Sequence, residues 1–199
     1  MTESATIIAA VITAMATLVS VLLGQYFMNR KRKLGKDCII RETTQNANVY
    51  TALEYIMGEM EADRAYIMEF HNGDNYFSGR HQQKYSCTHE VVEEGVSSEC
   101  ELSQNHRVSN YHSYIHTLTV DNKFVFEDIE EVDDRGFHQL LKNKGIKSIY
   151  NVPVKTLNGK IIGILGVDYV KAPIDQKGKE DEVFAFMKRQ ARLIAGYLM

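Results

Sequence analysis

Between Ser4 and Asn29 the chain carries no charged side chain, and five basic residues, Arg30, Lys31, Arg32, Lys33 and Lys36, follow at once. An α-helix needs about 20 residues to cross a hydrocarbon layer of about 30 Å, so this stretch is long enough to span a membrane. A buried helix of a soluble protein is the alternative, but a globular surface helix would show a polar stripe, and this one is apolar all round. Thr6, Thr13, Thr17 and Ser20 fit either setting, because a hydroxyl can bond back to a carbonyl of the preceding turn. Ala9, Ala10, Ala14, Ala16 and Gly24 would permit close helix pairing in lipid. A cleaved signal would place its basic residues before the apolar run, whereas here Glu3 precedes it.

The predicted organisation is therefore a transmembrane anchor over 1–29, a basic juxtamembrane stalk over 30–44 and one globular domain over 45–199. Lys and Arg beside a spanning helix stay on the cytoplasmic side, which puts that domain on the cytoplasmic face of the inner (cell) membrane. Residues 1–41 hold six basic and two acidic side chains, a net +4, while the whole chain is −3, so the remaining residues carry −7. An acidic body argues against nucleic acid, which is bound by clustered Lys and Arg. Arg30 to Lys33 instead suit the anionic head groups of a lipid bilayer. Cys38, Cys87 and Cys100 are odd in number and form no CxxC pair, as expected where thiols stay reduced; a Cys87 to Cys100 disulfide is the reading for an oxidising compartment.

After the anchor, the pattern predicts a helix over 37–62, with Val49, Leu53, Ile56 and Met60 on one face. Its first half is polar enough for a stalk. At Asp63 the period becomes two: Tyr66, Met68 and Phe70 alternate with Ala65, Ile67 and Glu69, as in a half-buried strand. A second strand is predicted over Lys84 to Val92, with Tyr85, Cys87 and His89 on one face, and a loop of about a dozen residues between the two. "YHSYIHTLTVDN" reads as a short helix and "KFVFEDI" as a strand. Asp133 to Gly145 has the start and stop signals of another helix. Ile146 to Thr156 and Lys160 to Lys171 are apolar, β-branched strands around Asn158-Gly159, a pair that suits a tight type I′ hairpin. A final amphipathic helix over Lys179 to Met199 turns Val183, Phe184, Met187, Ala191, Ile194 and Leu198 inward. Together these elements describe an α+β domain, an antiparallel sheet with helices packed on it.

"GIKSIYNVPVKTLNGKIIGILGVDYVK" and the terminal helix resemble the end of a GAF domain, where a Val-Pro-Val strand turns at Asn-Gly into a Gly-Ile-Leu-Gly strand. The resemblance covers about residues 45–199 and extends to the related PAS-like sensor folds. It implies a GAF-like antiparallel sheet, a small-molecule ligand between the sheet and the helices on one face or else a bound partner protein, a sensory and regulatory role without catalysis, and pairing into a homodimer through the first and last helices. The NKxxxF signature of cyclic-nucleotide-binding members is absent, and no cysteine stands in a chromophore-attachment context, so the ligand and any cofactor are unknown. One GAF branch reduces free methionine sulfoxide through cysteines, for which Cys87 and Cys100 would be nucleophile and resolving thiol. A looser similarity, in layout only, is to phage T-type holins, which pair one N-terminal spanning helix with a compact α+β domain but place that domain in the periplasm.

The expected ligand-binding residues are those where polar and aromatic groups concentrate. His71, Asn72 and Gly73 leave the first strand; Tyr76 and Phe77 offer stacking faces; Arg80 offers a planar donor fork. An ordinary polar turn is the alternative there. Tyr85 and Cys87 would line the same hollow or pack. Asp168, in an apolar strand, either needs a buried partner such as Arg80 or the ligand, or lies at a solvent-facing edge. His112 and His116 would share a helix face, but no third ligand accompanies them, and no metal site is expected.

Overall fold

The computed structural model describes residues 3–36, 38–175 and 177–199, with the side chains of 3–6, 9, 30–36 and 38 outside that description. The basic side chains Arg30, Lys31, Arg32 and Lys33 thus lie outside the described ones. The chain divides into two compact units, Met1–Thr44 and Gln45–Met199.

In the first unit, helix α1 runs from Glu3 to Lys36. Its segment Ala10–Asn29 is long and apolar enough to cross a membrane, with mean hydropathy 1.7 and none of it buried by protein. Thr17 and Ser20 donate to the carbonyls of Thr13 and Ala16 at 2.8 and 2.9 Å, so their hydroxyls are satisfied within the helix.

The second unit is built on one six-stranded antiparallel sheet in the order β3-β2-β1-β6-β5-β4. Its strands are β1 Arg64–Asn75, β2 His81–Val92, β3 His106–Arg107, β4 Phe124–Phe126, β5 Ser148–Lys155 and β6 Ile161–Tyr169. Helices α2 Cys38–Glu59 and α5 Glu180–Tyr197 cover one face. There Val49, Leu53 and Ile56 meet Met187, Ala191 and Ile194 over Ala65, Ile67, Val152, Leu165 and Val167. Helices α3 His112–Asp121 and α4 Arg135–Asn143 cover the other, packing Tyr114, Leu118, Phe137 and Leu141 over Met68, Tyr85, Ile149 and Ile164. Period-two alternation in β1 thus sends odd-numbered residues to one helical layer and even-numbered ones to the other.

Three local expectations are corrected. The predicted dozen-residue loop after Phe70 is mostly strand, because His71↔Lys84, Asn72↔Gln83 and Asn75↔His81 continue the pairing and leave only residues 76–80 to turn. At the Asn158-Gly159 hairpin Gly159 alone of the pair takes a positive φ, 83°. Its N–H closes onto Thr156 O at 2.9 Å and Thr156 N–H onto Lys160 O at 2.9 Å, a type I turn followed by a glycine bulge rather than a type I′ turn. In β2 the partners step from Ile67↔His89 to Met68↔Cys87, so Thr88 is an extra residue. That bulge turns His89 to the face opposite Tyr85 and Cys87, where it meets Asn46 and Tyr50 of α2.

Close approach of β1 and β6 depends on Gly163, where an added Cβ would fall 2.5 Å from the carbonyl oxygen of Met68. Backbone on both sides leaves nothing flexible to yield. Gly163→Ala is expected to cost about 1–3 kcal/mol, read from chemical denaturation; a variant as stable as the parent would show that the two strands can separate there.

Candidate functional site

Between the sheet and the α3/α4 layer lies a narrow cavity of about 30 Å³. Its walls come from β1 (Tyr66, Met68), β2 (Tyr85, Glu90), β6 (Asp168), α3 and α4 (Tyr114, Phe137, Leu140, Leu141), and the crossing segment between β2 and β3 (Glu99, Ser103). His106, Lys144, Ile146 and Ile149 complete it. One end is aromatic, with Tyr114 stacked on Phe137 at 3.8 Å and Tyr85 facing His106 at 5.4 Å. Tyr85 Oη and His106 Nε2 are both buried there without a hydrogen-bond partner in the protein. Burial raises the Tyr85 phenol well above its ordinary value, with Tyr114 adding to it, and lowers the His106 imidazole, with the Lys144 charge acting the same way. Both groups are therefore neutral at pH 7 and able to exchange hydrogen bonds with a small occupant.

The other end is ionic. Arg64, the first residue of β1, has no exposed surface. Nη2 donates to Lys144 O at 3.1 Å, while Nη1 stands 3.8 Å from Glu99 and Nε 3.8 Å from Asp168, too far for hydrogen bonds. Nε and Nη1 are thus buried donors with charge partners but no acceptor. Asp168 is 4% exposed, which excludes the solvent-facing alternative, and its cationic neighbour is Arg64 rather than Arg80. Tyr66 Oη sits 3.0 Å from both Asp168 Oδ1 and Asn151 Oδ1, and Asn151 donates on to Tyr114 Oη at 2.8 Å. The single Tyr66 hydroxyl proton is shared between these two acceptors. Burial raises the Asp168 carboxyl, to about 6, against the opposing pull of Arg64, Lys144 and the Tyr66 hydrogen bond.

The crossing segment is tied down by Glu90. Its carboxylate accepts from Ser98 Oγ at 2.5 Å and from the N–H groups of Glu99 and Cys100 at 2.9 and 3.1 Å. Lys144 Nζ donates to Ser103 Oγ, holding the same segment from the α4 side.

Of the residues expected from sequence, Tyr85 and Asp168 line this cavity, and Cys87 lies on the same face beside Cys100. His71, Asn72, Gly73, Tyr76, Phe77 and Arg80 do not line it; they form the outer end of the β1–β2 hairpin. His71 bonds Ser86 Oγ at 2.8 Å. The room above Gly73 is taken by the Lys84 side chain, 2.7 Å from where a Cβ would stand. Arg80 lies over the Tyr76 ring at 4.8 Å, and Phe77 is fully exposed. Arg64, Glu90, Glu99, Ser103, His106 and Lys144 were not expected, because nothing local marks them; Arg64 opens a strand where a charged residue ordinarily faces water. Among the described residues no group of three His, Cys, Asp or Glu could hold a metal ion.

A carboxyl raised by burial favours the fold most below the ordinary carboxylate range, and that contribution is lost as pH rises through about 6. The loss amounts to about 3 kcal/mol at ~1.4 kcal/mol per pH unit. Asp168→Asn keeps the acceptor for Tyr66 but removes the titration. Its stability relative to the parent should rise between pH ~4 and pH ~7, read from urea midpoints; a pH-independent difference would mean that Asp168 is ionised throughout.

No family model matches the chain, and no curated protein matches it. Solved structures do. The PixJ GAF domain of Thermosynechococcus elongatus, in its blue-light-absorbing form, superposes with TM-score 0.59 at 15% identity, covering 78% of this chain and 87% of that one. GAF3 of Slr1393 from Synechocystis sp. PCC6803 gives 0.58 at 13%, covering 76% and 90%. A far-red-absorbing dark state with bound biliverdin IXa gives 0.55 at 13%, covering 73% and 84%. At such identities the likeness is one of architecture: an α+β, GAF-like fold, preceded here by one apolar N-terminal helix.

Proposed function

We propose that this chain is a membrane-anchored, non-catalytic sensory protein whose GAF-like domain binds a small molecule in the cavity between the sheet and the α3/α4 layer. The observation that carries the binding reading is the pair of buried, unpartnered polar atoms, Tyr85 Oη and His106 Nε2, at the wall of a cavity. Buried polar groups are almost always satisfied, so two such atoms at the wall of one cavity favour a polar occupant. At about 30 Å³ the space suits a water-sized group as it stands, against the 300–1,000 Å³ of ordinary ligand pockets. A metabolite, and still more a tetrapyrrole of the kind bound by one structural neighbour, therefore enters only if the α3/α4 layer moves.

Support for the anchor is the uncharged, predominantly apolar Ala10–Asn29 segment followed by Arg30 to Lys33, which also favours a cytoplasmic domain over the holin arrangement. Helix α2 contributes residues to both units and would carry the signal. Exposed Tyr50 and Tyr55 on α2 and Leu193 on α5 supply an apolar surface for a homodimer. The methionine sulfoxide reductase reading loses ground, because it makes Cys87 the thiol that attacks the substrate, and burial raises that thiol, opposite to what a first attacking group requires.

The full-length chain in mild detergent, heated against a panel of small polar metabolites, should gain roughly 2 °C or more with its ligand, and Tyr85→Phe should lose most of that gain. Absence of any shift, together with no small molecule in the mass spectrum of the purified protein, would refute the binding reading. Protease that digests the domain from the outer side of intact spheroplasts would refute the orientation.

A further inference from the structure

Two thiols meet beside the cavity. Cys87 is buried on β2, and Cys100 is half-buried in the segment that crosses over it. The Cys100 thiol donates to Cys87 O at 3.5 Å, and the Cys87 thiol donates to His89 O at 3.5 Å. Contacts that do not involve sulfur fix the backbone on both sides. Cys87 N–H donates to Ser103 O at 2.8 Å, and Gln104 Nε2 bridges the carbonyls of Cys87 and Cys100 at 2.7 Å each. Glu90 holds the N–H groups of Glu99 and Cys100. Adjacent, pre-positioned backbones are what a disulfide requires.

Position gives the pair a consequence. Cys100 lies between Glu99 and Ser103, both of which wall the cavity, and the same segment leads into His106. We propose that Cys87 and Cys100 are a redox modification site, at which a peroxide drives a disulfide that fastens residues 97–104 over the cavity.

Access assigns the roles. Cys100 is reachable from solvent, so its thiolate attacks the peroxide, the O–O bond breaks, and water leaves behind a sulfenic acid. Cys87 sulfur then attacks the Cys100 sulfur; the S–O bond breaks, the departing oxygen takes the Cys87 proton, and a second water leaves. Two thiols and one hydrogen peroxide thus become one disulfide and two waters. Burial keeps Cys87 protonated until that second step. The cross-link itself rests on geometry alone, whereas any effect on a ligand rests on the binding reading above.

The test uses the full-length chain carrying Cys38→Ser, in mild detergent, treated with hydrogen peroxide and then alkylated. Peptide mass analysis without reductant should find the Cys87 and Cys100 peptides joined and lighter by two hydrogens. The thermal midpoint should rise by roughly 5 °C, and amide hydrogen exchange over 97–104 should slow about tenfold or more, both reversed by a thiol reductant. Cys100→Ser should abolish all three effects, and Cys87→Ala should leave a Cys100 sulfenic acid that dimedone traps. Oxidation of Cys100 to sulfinic acid with Cys87 still a thiol, or a link between two copies, would overturn the site. A link that leaves exchange over 97–104 unchanged would overturn the fastening. A metabolite panel that yields no ligand would remove the binding reading and leave the cross-link standing.

Discussion

A guanidinium with no exposed surface is the constraint around which the domain is arranged. Burying Arg64 without charge partners would cost several kcal/mol, so the fold surrounds it with Asp168 from β6, Glu99 from the crossing segment and the Lys144 carbonyl from the end of α4. Those three groups lie 35 to 104 positions away along the chain. Their convergence closes the sheet, the crossing segment and the α4 layer upon one point. Two of the three guanidinium nitrogens, Nε and Nη1, still lack an acceptor, which keeps this end of the cavity polar.

From Arg64 the polar chain continues through Asp168, Tyr66, Asn151 and Tyr114 to the aromatic end, crossing strands β1, β6 and β5 to reach α3. Such a network ties the α3 layer to the sheet by directional bonds as well as by packing. Beneath it the same strands present Ala65, Ile67, Val167 and Leu165 to α2 and α5. One sheet is thus the shared wall of two chemically different layers, one dry and one partly polar. The cavity and α2 are separated by the thickness of a single pleated backbone.

Much of this was legible in the sequence. Alternation in Tyr66 to Phe70, the apolar hairpin around Gly159 and the amphipathic stripe of α5 gave the sheet, its central strands and one helical layer, because each depends on near neighbours. Asp168 stood out as a carboxylate in an apolar strand, and it is indeed paired and buried. What stayed hidden depends on distance. Glu90, Glu99 and Lys144 look like ordinary surface charges until the chain brings them to Arg64. The His71 to Arg80 stretch drew attention for the opposite reason: its composition resembles a binding rim, yet a paired hairpin uses the same residues to extend beyond the core.

The extra residue at Thr88 has a further reach. Before it, β2 displays Tyr85 and Cys87 to the polar layer; after it, His89 and Val91 belong to the layer of α2. A relative lacking the bulge, lined up position by position, would have its inside and outside exchanged from that point to the end of the strand. A single-residue gap placed there restores the correspondence, and without it any inventory of shared pocket residues would be read from the wrong side of the sheet.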